Sequence, residues 1–325
     1  MFIVHVIKIW INRYKFTVKK SFGICYLATL AGILILTTSG AAAKDFTLDT
    51  ARAAAATNDP AAEYFLAEKY ADGTGVARDY SQAIQYLRQA AAQGYAPAQT
   101  GLASCYAHGT GVQQDYGAAL QWYGKAAAQG DPLAQYSLGY ACAHGIGTTT
   151  NFDEAVTYWQ KAAAQGQVLA QYALGQFYLY GAYSGDTNHI NYATAAQWLN
   201  KAATRGYLPA MGTMGYMYQF GVGVKHDWQQ ALRWTRPAAL RGDPTAEDDL
   251  GLMYENANAG LSRDLVQAYK WFLLSSEQGD AGGKHDVIEF NLAHVLSPEQ
   301  MAQAQKIAAD FHPQTNINSL AQSSN

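Results

Sequence analysis

The chain has 325 residues, with 22 Lys and Arg against 25 Asp and Glu, and charged residues make up 14 % of it, well below the roughly 25 % of an average globular protein. Five of the basic residues and none of the acidic ones fall in residues 1–43, which leaves 17 against 25, a net of −8, for the remainder. That acidic excess argues against nucleic acid, whose binding rests on neutralising phosphates, and against docking on anionic lipid.

Residues 1–20 carry Lys8, Arg13, Lys15, Lys19 and Lys20, residues 22–36 are almost wholly apolar, and Ala41, Ala42 and Ala43 follow. A basic segment, a short apolar core and a small-residue site predict a signal peptide over 1–43, cleaved after Ala43. The alternative is an uncleaved inner-membrane anchor through 22–36, although that run is shorter than the ~20 residues a span prefers. Either arrangement places the rest of the chain outside the cytoplasm, in the periplasm or beyond. Residues 44–58 then read as one capping helix.

From residue 59 to 279 the chain repeats itself six times, as 59–94, 95–130, 131–166, 167–206, 207–242 and 243–279, each unit closed by a glycine: Gly94, Gly130, Gly166, Gly206, Gly242 and Gly279. A period near 36 residues signals a helical array in which each unit packs on its neighbours. In the second unit Ala98, Leu102, Ala103 and Tyr106 form the apolar stripe of a helix A, and Gly109-Thr110-Gly111 ends it. Asp115 caps a helix B with Ala119, Trp122, Tyr123, Ala126 and Ala127 on one face. Across the six units, position 4 is always Ala, position 8 is Leu or Met, and position 25 is always Ala. Small residues at fixed places predict close helix approach. Position 28 is Tyr86, Trp122, Tyr158, Trp198, Trp234 and Trp271, read as core aromatics. Helix B starts at Asp79, Asp115, Asn151, Asn191, Asp227 and Asp264, four of them followed after three residues by Gln or Glu as in a capping box. Pro237 inside the fifth helix B predicts a kink.

After the repeats, residues 280–312 predict capping helices, the last starting at Ser297-Pro298-Glu299-Gln300. Residues 313–325 are polar and predict a disordered tail. The fold class is therefore all-α: a right-handed α/α superhelical solenoid of six helix-turn-helix repeats with N- and C-terminal capping helices.

This pattern resembles the Sel1-like repeat family, a relative of tetratricopeptide repeats. The resemblance rests on Ala134, Leu138, Gly139 and Gly145-Ile146-Gly147 in helix A and its turn, and on Ala195, Trp198, Lys201, Ala202 and Ala203 in helix B. It covers 59–279 and is specific for fold rather than activity. The fourth unit departs with extra residues in the loop from Gly181 to His189, and the sixth with Asn256 to Gly260 in place of Gly-x-Gly.

No residue pattern for catalysis stands out. Asp248 and Asp249, with Glu247 and Glu255 near, read as a solvated face of one helix rather than an acid–base pair. His108 and His144 occupy equivalent places ~10 Å apart by stacking, too far for a shared metal, and read as side chains near free helix carbonyls. Cys105 and Cys142 read as two small buried thiols rather than a bridge. No enzyme activity, cofactor or metal is expected. The expected binding surface is an uncharged strip on helix A, which the family resemblance places on the concave side: Gln99, Gln135 and Gln171 at position 5, with Tyr136, Tyr172 and Tyr180. The expected function is an exported scaffold or regulator, a monomer, that binds a partner protein or peptide there and not nucleic acid. The alternative is a cell-wall glycan or peptide binder with hydrolase activity.

Overall fold

The computed structural model describes residues 46–181, 188–292 and 295–314. The expected signal segment lies outside these residues, as does part of the long loop of the fourth repeat. Among the described residues there are fifteen α-helices, and the chain forms two compact units that divide after Leu174.

In the unit 46–174, a capping helix α1 (Leu48–Ala55) precedes three helical hairpins: α2 (Pro60–Asp72) with α3 (Tyr80–Ala92), α4 (Ala96–His108) with α5 (Tyr116–Ala128), and α6 (Pro132–His144) with α7 (Phe152–Ala164). Each helix packs on the next in sequence from α1 to α7. The eighth helix, α8 (Val168–Tyr180), begins in this unit. In the unit from Gly175 on, α9 (Tyr192–Thr204), α10 (Leu208–Phe220), α11 (Trp228–Leu240), α12 (Pro244–Glu255) and α13 (Leu265–Glu277) pack successively, and α14 (Ala281–Leu292) and α15 (Pro298–Ala309) both close on α13. The protein is an all-α solenoid of tandem helix-turn-helix repeats with capping helices.

The local causes recur. Helix B is capped by the side chain of Asp79, Asp115, Asn151, Asn191, Asp227 or Asp264, which accepts from a backbone N–H two or three residues on. The N–H of the same residue donates back to the carbonyl at position 12: Asp79 to Tyr70, Asp115 to Tyr106 and Asn151 to Cys142, at 2.8 to 2.9 Å. One residue thus starts one helix and ties off the previous one, satisfying orphan groups at both ends. In the turn between them, the second glycine of Gly109-Thr110-Gly111 has φ +70°, and a Cβ on Gly111 would stand 3.0 Å from Tyr80 Cβ in the preceding repeat. The sixth repeat takes the same corner with Ala257 and Ala259 at positive φ, around a short 3-10 turn, Asn258–Gly260.

The core follows the expected alanines and leucines. Position 4 is fully buried in all six repeats, position 25 is at most 2 % exposed and position 8 at most 7 %. The aromatic core position is corrected. Position 28 is half-exposed in five repeats, and the buried residue is its neighbour at position 29: Leu87, Tyr123, Trp159, Leu199, Thr235 and Phe272. The reason is the close approach of helix A at position 9. There a Cβ on Gly139 would meet Trp159 at 2.6 Å, and one on Gly175 or Gly251 would meet Leu199 or Phe272 at 2.5 Å. A glycine on one helix makes the room for a large side chain on the other. The half-exposed aromatics instead carry lysines from one turn on: Lys125 lies 3.9 Å over Trp122 and Lys201 3.9 Å over Trp198, an arrangement favoured by the ring quadrupole.

α11 runs through Pro237 without a break in its assigned span. The C-terminal boundary is also corrected. Residues 313 and 314 are not part of a free tail: the N–H of Gln314 donates to the carbonyl of Leu240 at 2.8 Å, and Phe311 packs edge-on against Trp271 at 5.3 Å. Residues 315–325 lie outside the described residues.

Candidate functional site

The expected glutamine strip is not a surface. Gln99, Gln135 and Gln171 are 4 %, 6 % and 4 % exposed. Each donates from Nε2 to a carbonyl eight residues earlier, at the end of the preceding helix B: Gln99 to Ala91, Gln135 to Ala127 and Gln171 to Ala163. The oxygens of Gln99 and Gln135 receive the amide that follows the same repeat's helix B. Gln129 donates to Gln99 at 2.8 Å and Gln165 to Gln135 at 2.9 Å. Gln165 also reaches the carbonyl of Gly130 at 2.9 Å. A neutral amide with both donor and acceptor engaged can be buried at small cost. In the second, third and fourth repeats position 5 therefore stitches the repeat to the one before it.

The tyrosines of the prediction lie elsewhere on the same helices. Tyr136, Tyr172 and Tyr180 are half-buried, at positions 6, 6 and 14. In the unit 46–174, Tyr136 stands 6.3 Å from Tyr140, and Tyr140 stands 4.2 Å from the His144 ring. Residues four apart share a helix face, so positions 6, 10 and 14 of α6 form one aromatic row, and Tyr172 opens the equivalent row on α8. Burial lowers the pKa of His144, which favours a neutral ring there. His108, at the equivalent place on α4, turns its Nδ1 to the Ser104 carbonyl at 2.7 Å. In the unit from Gly175, Tyr216 and Phe220 take positions 10 and 14 of α10, 4.7 Å apart, with Tyr216 buried at 5 % exposed and Phe220 44 % exposed. Tyr140, Tyr216 and Phe220 were missed from sequence. Their i, i+4 spacing on helix A was the available signal.

A second correction concerns the sixth repeat. Glu247, Asp248 and Asp249 are 0 %, 7 % and 5 % exposed, not a solvated run. Glu247 occupies position 5, and its carboxylate accepts from Gln278 at 2.8 Å. Burial first, and the nearby Asp243 second, raise its pKa to about 8. Asp243 caps α12 through the Ala246 N–H and is itself raised to about 6, chiefly by burial. Asp248 lies against Gly282 at the start of α14, whose first N–H groups are capped by Asp280. Lys270, 7 % exposed, lies 3.6 Å over Trp271 and 4.9 Å over Phe311. Burial lowers its pKa, and Glu247 partly offsets this. Asp243, Glu247 and Gln278 thus bond within the last repeat, while Asp248 and Lys270 face its cap at Gly282 and Phe311.

Among the described residues no three His, Cys, Asp or Glu side chains come together as a metal site, and no helix is long and apolar enough to cross a membrane. Cys105 and Cys142 are free thiols, each raised to about 11 with burial as the leading cause.

The comparison with protein families decides what this scaffold is. The Sel1 repeat model matches six times, at residues 60–95, 96–131, 132–167, 168–207, 209–243 and 244–280. The chain belongs to the Sel1 repeat family. Among solved structures, a protective antigen present in uropathogenic Escherichia coli strains, displaying an SLR fold, is 30 % identical with a TM-score of 0.69, the match covering 82 % of this chain and 56 % of that one. This Sel1 repeat chain thus matches little more than half the length of that antigen. A Sel1 repeat protein from Oxalobacter formigenes is 31 % identical with a TM-score of 0.63, covering 69 % of this chain and 90 % of that one. The Sel1 repeat solenoid is a fold generally used for protein–protein interaction.

Proposed function

We propose that this Sel1 repeat protein is an exported scaffold that binds a partner protein through the helix-A face of its repeats. The observation that carries this reading is the aromatic row at positions 6, 10 and 14: Tyr136, Tyr140 and His144 on α6 stand side by side, and none of the three is fully buried. Such rings offer large, stiff contact area at low entropic cost. The buried core is built from other positions, 4 and 8 of helix A and 25 and 29 of helix B. Export is supported by the basic, apolar and small-residue order of residues 1–43, and the resemblance to a protective antigen accords with it.

The test is photo-crosslinking in the native cell envelope, with a reactive residue placed at Tyr140 or Tyr172 and the adducts identified by mass spectrometry. One recurrent protein partner captured from both positions is the expected result. Adducts no different from those at the helix-B residue Trp122 would overturn the reading.

A further inference from the structure

The two aromatic series of the unit 46–174 meet charge in opposite ways. On helix B the rings are covered by the protein's own cations: Lys125 lies over Trp122 at 3.9 Å and Lys161 over Tyr158 at 5.9 Å. On the helix-A side Arg88 reaches the Tyr106 hydroxyl at 3.3 Å, but around Tyr64 and Tyr95 the charges acting on the rings are carboxylates. Tyr64 of α2 and Tyr95, the residue that begins the next repeat, meet edge to face at 5.7 Å. Glu68 and Asp131 both lie near enough to act on the Tyr64 hydroxyl. Tyr95 feels Glu68 and Asp59. All four of Tyr64, Glu68, Tyr95 and Asp131 are half-buried, and the two rings rest on the core while reaching the surface. The one lysine on α2, Lys69, is adjacent to Glu68 and extends over the Phe65 ring at 5.2 Å.

Burial raises both Glu68 and Asp131 above the ordinary carboxylate range. Asp131 is held in place by the Ala134 N–H, which donates to it at 2.7 Å, so it is fixed by a backbone amide rather than by a cation. Two ring faces and two positioned carboxylates complement a cationic side chain, which gains cation–π attraction and charge-assisted hydrogen bonds together.

We infer that the helix-A side of the first repeats, at Tyr64, Glu68, Tyr95 and Asp131, receives a lysine or arginine of an extended partner segment. This rests on the scaffold reading above and names the chemistry of the partner: a basic segment rather than an acidic or neutral one. The aromatic row of α6 then takes the flanking part of the same segment.

The experiment is fluorescence anisotropy on the full chain with three labelled probes of one length: a peptide with lysine at every third residue, the same peptide with acetyl-lysine, and the same with glutamate. The lysine probe should bind, and the acetylated and acidic probes about ten-fold more weakly or not at all. The double variant Glu68→Gln/Asp131→Asn should lose about ten-fold in affinity for the lysine probe. Asparagine still caps α6, so its melting midpoint should stay near the parent's. The double variant Asp153→Asn/Glu277→Gln removes two exposed helix-B charges and controls for general electrostatic attraction. It should bind as the parent does. Equal affinity for lysine and acetyl-lysine probes overturns the inference, as does equal loss in both double variants or no binding of the lysine probe. If Glu68→Gln/Asp131→Asn captures the crosslinked partner with the parent's affinity, the basic-segment inference falls while the scaffold reading stands.

Discussion

The same structural slot is filled by different chemistry in the two units. Where a helix B ends against the start of its own repeat's helix A, the unit 46–174 pairs Gln129 with Gln99 and Gln165 with Gln135. In the unit from Gly175 the slot holds Arg241 against the Met211 sulfur in the fifth repeat and Gln278 against Glu247 in the sixth. The residue after helix B keeps its reach in both: Gln165 donates to Gly130 and Arg241 donates to Gly206, the closing glycines one repeat earlier. Geometry is held and ionisation is free to vary. The second and third repeats are therefore locked by neutral amides, while the sixth is locked by an acid whose charge depends on pH. Glu63, bonded to Gln93 at 2.7 Å, makes the first repeat a milder case, since burial raises its pKa as well.

The largest expected effect concerns the core that both units share. Trp159→Ala should destabilise by about 3–5 kcal/mol, because Gly139 already leaves no material to fill the gap, whereas Trp122→Ala, half-exposed, should cost less than about 2 kcal/mol. Equal costs in denaturant titrations would reverse the assignment of positions 28 and 29.

The next effect separates the units by pH. Glu247 has a folded pKa of about 8 against an ordinary 4.5, so folding at neutral pH takes up a proton. Its stabilising contribution is complete below about pH 4.5 and is lost as pH rises toward 8. Asp243 acts the same way between its ordinary 3.8 and about 6. The last repeat and its cap should thus weaken from pH 5 to pH 8.5. Glu247→Gln should flatten that slope and stabilise by about 1–3 kcal/mol at pH 8.5. Amide exchange in α12 and α13 reads this locally, and a slope unchanged by the substitution would remove Glu247 as its source.

A smaller loss is expected in the neutral lock. Gln135→Leu should cost about 1–2 kcal/mol with no pH dependence between 5 and 8.5, because it removes an acceptor from Gln165 and a donor from the Ala127 carbonyl. Smallest of all, Tyr140→Ala should cost no more than about 1 kcal/mol, the worth of a half-exposed ring pair. A larger loss in thermal melts would make Tyr140 part of the core rather than of a surface.

Much of this architecture is legible in the sequence because it repeats. Ala62, Ala98, Ala134, Ala170, Ala210 and Ala246 mark the inner line of helix A, and the Asp and Asn caps mark each start of helix B. The errors have a common physical origin: neighbouring helical positions differ by only 100°, so two residues can both border the core. Position 28 drew attention because it is always aromatic. The buried position 29 varies from Thr235 to Trp159 and is compensated across the interface by Ala67, Ala103 or a glycine. A compensated pair has no single-residue signature. Polarity alone marks the glutamines at position 5 as exposed, although a paired amide satisfies burial. Polarity likewise marks Asp248 as solvated, because its cover is α14, a cap outside the repeat whose register the repeats do not predict.

On the proposed reading, this solenoid recognises its partner with the helix-A face and not with the lysine-covered aromatics of helix B. The direct measurement is the affinity of the crosslinked partner, by titration calorimetry, for two triple variants of the full chain. Tyr136→Ala/Tyr140→Ala/Tyr172→Ala should weaken binding at least about 30-fold, while Trp122→Ala/Tyr158→Ala/Lys161→Ala should stay within about two-fold of the parent. The reverse order, or equal losses, would contradict the account.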